Sequence, residues 1–520
     1  MRRREFLVFS ALGGAGFFMT EGLRKDFVLE EASIAEMQEA MVSGKINAVE
    51  LAKRYVERIE QIDQKLLSVV EINPDAFKIA ESLDKERRSG RVRSALHGIP
   101  ILLKDNIDTA DRMKTTAGSL ALVDAPAPKR DAFIVEKLRQ AGAVILGKTN
   151  LSEWANFRSE DSSSGWSARG GQTRNPYILD RNPCGSSSGS AVSVSANLCA
   201  ASIGTETDGS IVCPSSVNGI VGLKPTVGLV SRSGIIPIAH SQDTAGPMTR
   251  SVADAAIILT VIAGFDERDR ATSQANKMAQ DYTKFLKKDG LRGKRIGIAR
   301  QYFGRNSRVD KLMEEQIQVL KSAGAEVVDI NFPGFGKFGE AEFEVLLYEF
   351  KHYIERYLQE RGGKHRTLAD LIKFNEENKE KEMPYFGQDI FLKAEAKGSL
   401  EDRAYRLSLL QSKVMTQDRG IDSVVQQYKI DAIMAPSNAP VWLIDLINGD
   451  SPTNYISSSS IPAVAGYPNI TVPAGFINEL PIGVSFFGPA FSEPVLIEIA
   501  YAFEQITKAR RKPKFLTTYP

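Results

Sequence analysis

The stretch PCGSSSGSAVSVSANLCAASIGTETDGSIVCPSSVNGIVGL, residues 183–223, is the most informative part of this chain. Only Glu206 and Asp208 are charged in it, although 25% of the whole chain is charged. Valine, isoleucine, leucine and alanine recur between the serines, and a flexible Gly/Ser linker would not need them. The pattern predicts a packed, hydroxyl-rich segment in which backbone N–H groups and serine hydroxyls are oriented without competing water.

Short β-rich runs alternate with helical patterns on both sides of this segment. Residues 25–90 are predicted to be largely helical and contain a capping box, Ser33-x-x-Glu36. Alternating βα units predict an α/β sheet covered by helices on both faces. Strands are predicted at 99–103, 143–146, 294–300, 325–332, 431–435, 469–472 and 482–487, and helices at 132–140, 309–323 and 493–507.

The chain of 520 residues is long enough for two to four ordinary domains or one large α/β unit. Residues 335–430 are rich in Glu, Lys and Gln with helical periodicity. We interpret them as a helical layer over the sheet, within a single large domain that covers 25–520.

The composition excludes several classes of protein. The net charge of +2 argues against a dedicated nucleic-acid binder, and 42% hydrophobic residues argue against long disorder. The four histidines and three cysteines match no metal-ligand spacing, so no metal is predicted. No organic cofactor is expected either. Cys184, Cys199 and Cys213 are interpreted as buried structural cysteines rather than nucleophiles, because no histidine base stands at a telling spacing.

The amino terminus carries the excess positive charge. Met1-Arg2-Arg3-Arg4-Glu5 precedes a mainly apolar run from Phe6 to Met19, and Arg3-Arg4-x-Phe6-Leu7 resembles the twin-arginine export motif. Residues 1–24 are therefore predicted to be an export signal or an uncleaved anchor, which would be the one link to a membrane. A frayed amino-terminal helix and a cytoplasmic protein are the alternative.

Two motif matches are interpreted as accidental. Gly142 to Thr149 satisfies G-x-x-x-x-G-K-[ST], but Ala-Val-Ile-Leu in its middle favours a buried strand over a phosphate loop. Gly185 to Gly189 satisfies G-x-S-x-G around Ser187, but the preceding residues are turn-like, whereas a nucleophile elbow follows a strand. Asp208 and His240 follow Ser187 in the chain order Ser…Asp…His, and chain order alone is weak evidence.

Several blocks together resemble the amidase signature family. These blocks are Gly185–Ala191, Gly204–Ile211, Gly219–Thr226, His97–Ile107, Lys148–Asn150, Ser241–Met248, Ala465–Gly475 and Leu480–Val484. Thr205 to Ser210 looks most like the bacterial peptide amidases, and Tyr385-Phe-Gly-Gln388 adds weaker support. The resemblance implies a mixed β-sheet sandwiched between helical layers.

The resemblance also implies a set of catalytic residues. Carried over by motif, Ser210 is the nucleophile, Ser186 the bridging serine on a cis peptide, and Lys104 the base. The oxyanion would be held by backbone N–H groups of Thr207, Asp208, Gly209 and Ser210. A lysine is a base only when neutral, and lowering its pKa from about 10.4 by about three would require about 4 kcal/mol of ammonium destabilisation, which burial supplies.

Three positions depart from the common family pattern, since Asp208 and Ser188 stand where many members have Gly and Val212 where many have Arg. Asp208 is expected either to raise the pKa of Lys104 or to face the substrate. The predicted function is hydrolysis of carboxamides through an acyl-enzyme, preferably C-terminal peptide amides. The alternatives are an inactive binding protein of the same fold and a glutamine-hydrolysing amidotransferase subunit.

Overall fold

The computed structural model describes residues 27–520, and the export-like segment lies outside them. Over this range no helix combines the length and the apolar character that a membrane crossing requires.

An eleven-stranded mixed sheet forms the centre of the described fold, in the order β1-β3-β2-β6-β8-β7-β12-β13-β11-β9-β10. Strand β2 runs parallel to β3 and β6, and β9 runs parallel to β10 and β11, whereas the other neighbours are antiparallel. Strands β4 and β5 form a separate pair. The strands are β1 (Val69–Ile72), β2 (Pro100–Lys104), β3 (Val144–Thr149), β4 (Trp166–Ser167), β5 (Gly171–Gln172), β6 (Ala201–Glu206), β7 (Val221–Lys224), β8 (Thr244–Thr249), β9 (Arg295–Ala299), β10 (Glu326–Ile330), β11 (Ala432–Pro436), β12 (Asn469–Ile477) and β13 (Leu480–Phe487).

Helices flank this sheet, and the predicted α/β fold with a mixed sheet is confirmed. The α-helices are α1 (Ile34–Val42), α2 (Ala48–Ile62), α3 (Ala76–Arg88), α4 (Phe133–Gln140), α5 (Ser188–Ser195), α6 (Val212–Val217), α7 (Val252–Ile262), α8 (Ala275–Met278), α9 (Ser307–Ser322), α10 (Gly339–Arg361), α11 (Leu368–Glu377), α12 (Lys379–Glu382), α13 (Asp389–Glu395), α14 (Arg403–Lys413), α15 (Asp422–Tyr428), α16 (Ser460–Ala465) and α17 (Glu493–Thr507). A π-helical turn, Val414–Ile421, joins α14 to α15.

The predicted elements outside the serine-rich segment are found with shifts of up to three residues at their ends, except that the strand predicted at 469–472 extends to Ile477 as β12. Helix α17 has the predicted bounds, and the capping box of Ser33 and Glu36 forms at the start of α1. The largely helical prediction for 25–90 is wrong at β1, where Val69–Ile72 pairs with β3. Three of its four residues, Val69, Val70 and Ile72, are β-branched and favour a strand, but the run is short and stands between two helical patterns.

The phosphate-loop match is indeed a strand. Residues 144–149 form β3 and are all buried, so their backbone groups belong to the sheet ladder. The serine of the G-x-S-x-G match is also occupied: Ser187 Oγ donates to the Thr205 carbonyl oxygen at 3.0 Å. His240 stacks on Tyr353 with ring centroids 3.7 Å apart, and burial lowers its pKa to about 3. It is thus a poor base for Ser187.

The sheet brings three distant sequence motifs to one edge. Strands β2 and β6 are parallel neighbours, with Leu103 opposite Ile203, so their carboxyl ends meet. Lys104 is the last residue of β2, and the loop 207–210 follows β6 directly. Ser186 enters from the turn before α5, whose residues are all buried.

Residues 335–430 contain α10 to α15, as the periodicity predicted. This helical layer is anchored by an aromatic cluster beside the loop after β3. Phe157 meets Phe350 edge-on at 5.1 Å between centroids, and Trp154 meets Phe391 at 5.8 Å. The layer therefore packs on the same loops that surround the edge where β2 and β6 end.

Candidate active site

Lys104 is completely buried at the carboxyl end of β2. Its Nζ lies 2.7 Å from Ser186 Oγ and 2.9 Å from Thr205 Oγ1. Burial lowers the pKa of Lys104 to about 7, although the carboxylates of Asp243 and Glu206 act in the opposite direction. An ammonium ion loses its hydration at such a position, so a substantial neutral fraction exists near neutral pH.

Two other lysines of the quoted motifs are equally buried, and their contacts distinguish them from Lys104. Lys148 Nζ donates to the Ile107 carbonyl at 2.5 Å, and Lys224 Nζ donates to the Tyr467 carbonyl at 2.6 Å. Burial lowers the pKa of each to about 8. Of the three, Lys104 is the one whose amine meets a serine hydroxyl of the serine-rich segment.

The two serines predicted for catalysis lie in adjacent segments. The Gly185–Ser186 peptide bond is cis, as the resemblance implies. The Ser187 N–H donates to the Ser210 carbonyl at 3.2 Å, which places the two segments side by side. Within residues 27–520 the Ser210 hydroxyl makes no hydrogen bond, so it is not joined to Ser186 in this structure.

The loop after β6 presents backbone donors. In the described part of the chain, the N–H groups of residues 207–210 have no protein acceptor. Gly209 has φ of +79°, a conformation that strains any residue with a side chain, and a Cβ there would lie 2.9 Å from Ser459 Oγ, which would have to move. Free N–H groups on a fixed loop are what an oxyanion requires.

Side chains at the base of this loop fix its shape. Glu206 Oε2 accepts hydrogen bonds from the N–H groups of Ile211 and Val212, at 2.7 and 3.0 Å. Thr207 Oγ1 donates to Asp243 Oδ1 at 2.6 Å. The loop is thus held from within its own segment and from the start of β8.

The side chain of Asp208 is held by a residue from a distant part of the chain. Its Oδ1 accepts from Ser459 Oγ at 2.7 Å. Burial and the charge of Asp208 raise the pKa of Glu342, on α10, well above its usual range, so Glu342 is protonated. The expectation that Asp208 opposes a neutral Lys104 is therefore wrong, since Asp243 and Glu206 have that effect.

The three cysteines are buried, as predicted, but two of them are not thiols. Cys184 and Cys213 form a disulfide with a Cα–Cα distance of 6.1 Å. Cys199 remains a thiol, and burial raises its pKa to about 12. Cysteine spacing alone could not pair two of three residues, because pairing depends on how α6 packs against the turn before α5.

Several residues of the site were not given a role from the sequence. Thr205, Asp243 and Asn106 stand inside the quoted motifs and contact Lys104, its partners or the oxyanion loop. Their position inside the family-like blocks is the sequence feature that could have indicated a role in the site. Glu342 and Ser459 carry no such signal, since they reach Asp208 from sequence separations that only folding closes.

Comparison with known proteins agrees with this geometry. The family model named Amidase matches residues 50–497. A solved structure described as a peptide amidase in complex with the competitive inhibitor chymostatin is 52% identical, with a TM-score of 0.91, and the alignment covers 94% of this chain and 100% of that one. A probable amidase of Arabidopsis thaliana is 42% identical over 95% of this chain and 93% of its own length.

A more distant relative has a different kind of name. It is a glutamyl-tRNA(Gln) amidotransferase subunit from Thermoanaerobacter pseudethanolicus, which is 35% identical over 94% of this chain and 98% of its own length. The family match and the high identity over almost the whole chain place the protein among the amide hydrolases. This chain belongs to the amidase family.

Proposed function

We propose that this enzyme hydrolyses the C-terminal carboxamide of peptides, with Ser210 as nucleophile, Ser186 as proton relay and Lys104 as base. The observation that carries the proposal is the completely buried Lys104 amine, 2.7 Å from the Ser186 hydroxyl. A serine hydroxyl becomes a nucleophile only with an adjacent base, and a dry lysine of lowered pKa is such a base.

The first half of the reaction forms an acyl-enzyme. The Ser210 proton passes to Ser186 Oγ while the Ser186 proton passes to the neutral Lys104 amine, and Ser210 Oγ bonds to the amide carbon. The carbonyl π electrons move to oxygen, and the N–H groups of residues 207–210 bind the oxyanion. When the carbon–nitrogen bond breaks, Lys104 returns its proton through Ser186 to the nitrogen, and ammonia leaves.

The second half repeats the same proton transfers with water. Water attacks the Ser210 ester, its proton passes through Ser186 to Lys104, and the carbon–Oγ bond breaks as Ser210 regains a proton. The products are the peptide acid and the free enzyme. The relay requires a Ser186–Ser210 hydrogen bond that this structure lacks, and catalytic hydrogen bonds commonly tighten only in the substrate complex.

Two observations support a peptide as the acyl group. The first is the 52% identity to a peptide amidase over nearly the whole chain. The second is Asp208, a half-buried acceptor within the oxyanion loop, whose carboxylate we expect to face the acyl group of the substrate. A peptide offers N–H donors to such a group, whereas a simple aliphatic acyl chain does not.

The decisive experiment measures ammonia release from peptide amides, simple aliphatic amides and glutamine. Wild type, Ser210→Ala and a matched control, Ser193→Ala, are compared. Ser193 is a buried serine of the same segment whose hydroxyl donates to the Ser190 carbonyl. Peptide amides should be the best substrates, Ser210→Ala should be inactive and Ser193→Ala should retain activity.

Two outcomes would change the proposal. Equal activity of wild type and Ser210→Ala would reject the mechanism. Release of ammonia from glutamine alone would favour the amidotransferase function that the name of the Thermoanaerobacter relative indicates.

We also propose that the protein is exported to an extracytoplasmic compartment. The twin-arginine-like motif at Arg3 and Arg4 supports this, and so does the Cys184–Cys213 disulfide, since disulfides persist mainly in oxidising compartments. Replacement of both arginines by lysine should retain the protein in the cytoplasm. Unchanged fractionation of that variant would favour the cytoplasmic alternative.

A further inference from the structure

The disulfide stands next to both proposed catalytic serines. Cys184 precedes Ser186 by two residues, and Cys213 follows Ser210 by three. We propose that the Cys184–Cys213 disulfide is a positioning element of the active site, which holds the Ser186 turn against the Ser210 loop and makes amide hydrolysis depend on the oxidised state of this pair. This inference rests on the proposed roles of Ser186 and Ser210.

The backbone at Cys184 needs to be held in place. Cys184 has φ of +54°, in the left-handed region that favours glycine. Such a residue persists where its surroundings determine its conformation. Here the Cys184 N–H donates to Asn182 Oδ1 at 2.8 Å, its carbonyl accepts from Ser188 Oγ at 2.7 Å, and its side chain is bonded to Cys213.

The other end of the disulfide is attached to the oxyanion loop. The Cys213 N–H donates to the Gly209 carbonyl at 2.7 Å, in the turn that begins α6. A continuous path therefore runs from Ser186 through Cys184, the disulfide and Cys213 to Gly209. The two cysteines, 29 residues apart, close a covalent loop that contains Ser186, Ser210 and the whole oxyanion loop.

The non-covalent links between the same segments act elsewhere. The Ser187 N–H donates to the Ser210 carbonyl at 3.2 Å, and Asn218 Nδ2 donates to the Pro183 carbonyl at 2.9 Å. These bonds keep the two segments together, so the fold should survive without the disulfide. The Asn218 bond fixes the peptide plane that precedes Cys184, whereas the disulfide links the Cys184 side chain directly to Cys213 beside the Ser210 loop.

The redox step is an ordinary thiol–disulfide exchange. A dithiol attacks one sulfur, a mixed disulfide forms, and a second attack releases both cysteines as thiols while the dithiol becomes a cyclic disulfide. Cys184 and Cys213 are 6% and 4% exposed, so exchange will be slow in the folded protein. If hydrolysis depends on the disulfide, the enzyme is weakly active in a compartment where thiols stay reduced. It is fully active in an oxidising compartment, to which the proposed export would bring it.

The test compares four proteins in peptide-amide hydrolysis: wild type, Cys184→Ala with Cys213→Ala, Cys184→Gly with Cys213→Ala, and the matched control Cys199→Ala. All are assayed well below their unfolding temperatures, after a native circular dichroism spectrum is verified. We expect kcat to fall at least about tenfold in both double variants while KM stays within about threefold. Cys199→Ala, which loses a buried thiol that has no partner cysteine, should behave as wild type.

Three results would overturn the proposal. The first is a natively folded alanine double variant with kcat within twofold of wild type. The second is recovery of kcat in the glycine variant, because glycine at 184 relieves the backbone without restoring the covalent link. If neither double variant folds, wild type is reduced with a dithiol until three thiols titrate instead of one. The third contrary result is an unchanged kcat in this reduced protein.

The same assays separate this inference from the proposed function. Activity of the oxidised wild type that Ser210→Ala lacks establishes the serine mechanism, whatever the cysteine variants do. A loss of kcat in reduced protein that keeps its native circular dichroism spectrum, and that returns on reoxidation as the thiol count falls, is the result that a merely stabilising disulfide would not give.

Discussion

The serine-rich segment, residues 183–223, and the outward surface of the helical layer, α10 to α15, differ in how far their charged side chains are exposed to water. Every residue of the segment is buried except Thr207 and Asp208, which are half-buried in the oxyanion loop. The outward surface of the helical layer exposes charges as ion pairs along its helices, such as Arg356 with Glu360 and Lys373 with Glu377, whereas its inner side buries acids such as Glu342. Buried charge is energetically costly and its pKa is shifted, whereas charge on the outward surface of the layer is hydrated and contributes little.

This comparison predicts the largest effect at Lys104. Lys104→Arg should lower kcat/KM for peptide amides by about 10³, because a guanidinium cannot be deprotonated and therefore cannot act as a base. Lys373→Arg, on the exposed face of α11, should leave kcat/KM unchanged. Steady-state kinetics of both variants check this, and a tenth or more of the activity in Lys104→Arg would place the base elsewhere.

The helical layer should instead be sensitive through its packing. Leu371 is completely buried in the aromatic cluster, and Leu371→Ala should lower the free energy of unfolding by about 3 kcal/mol. Leu410, 60% exposed on α14, is the matched control and should have little effect when changed to alanine. Urea titration measures both, and equal destabilisation would show that the layer is not anchored where the structure places it.

The pH dependence should report the buried lysine. Since Lys104 must be neutral and its pKa is about 7, kcat/KM should rise between pH 6 and 8 and then level off. Asp243 raises that pKa, so Asp243→Asn should move the midpoint to lower pH.

Asp389→Asn, an exposed carboxylate of α13, is the control for this shift and should leave the midpoint in place. A profile of Asp243→Asn that matches wild type would mean that another group controls the rise in activity.

The smallest effect is expected at an exposed ion pair. Lys373 and Glu377 are 76% and 62% exposed and lie 3.8 Å apart, so Lys373→Ala should change the free energy of unfolding by less than about 0.5 kcal/mol. Thermal or urea unfolding would detect a larger effect. A change in the free energy of unfolding above about 1 kcal/mol would contradict the view that charge on the outward surface of the layer is hydrated and contributes little.

Much of the fold could be predicted because its elements are locally consistent. The α17 pattern, the capping box of α1 and the burial of β3 follow from periodicity and residue type. Strand β1 also carries a local signal in its β-branched residues, but the run is short, and its pairing with β3 is a property of the folded sheet. Lys104, Ser186 and the 207–210 loop were found through motifs, and the fold places Lys104 against Ser186 and the segment of Ser186 beside that of Ser210.

The order of residues alone is enough to establish an α/β protein of the amidase family, with its charge-poor chemistry concentrated in residues 183–223. The α/β pattern follows from residue type and order, because apolar runs must be buried whatever their partners. The family follows from the motif blocks that the chain carries. The folded chain was needed to show which lysine meets a serine, which acid faces Lys104 and which acid faces Ser459, and which two cysteines are bonded. Those properties depend on distances between residues far apart in the chain, and the sheet that closes the distances also removes the water that would weaken the contacts.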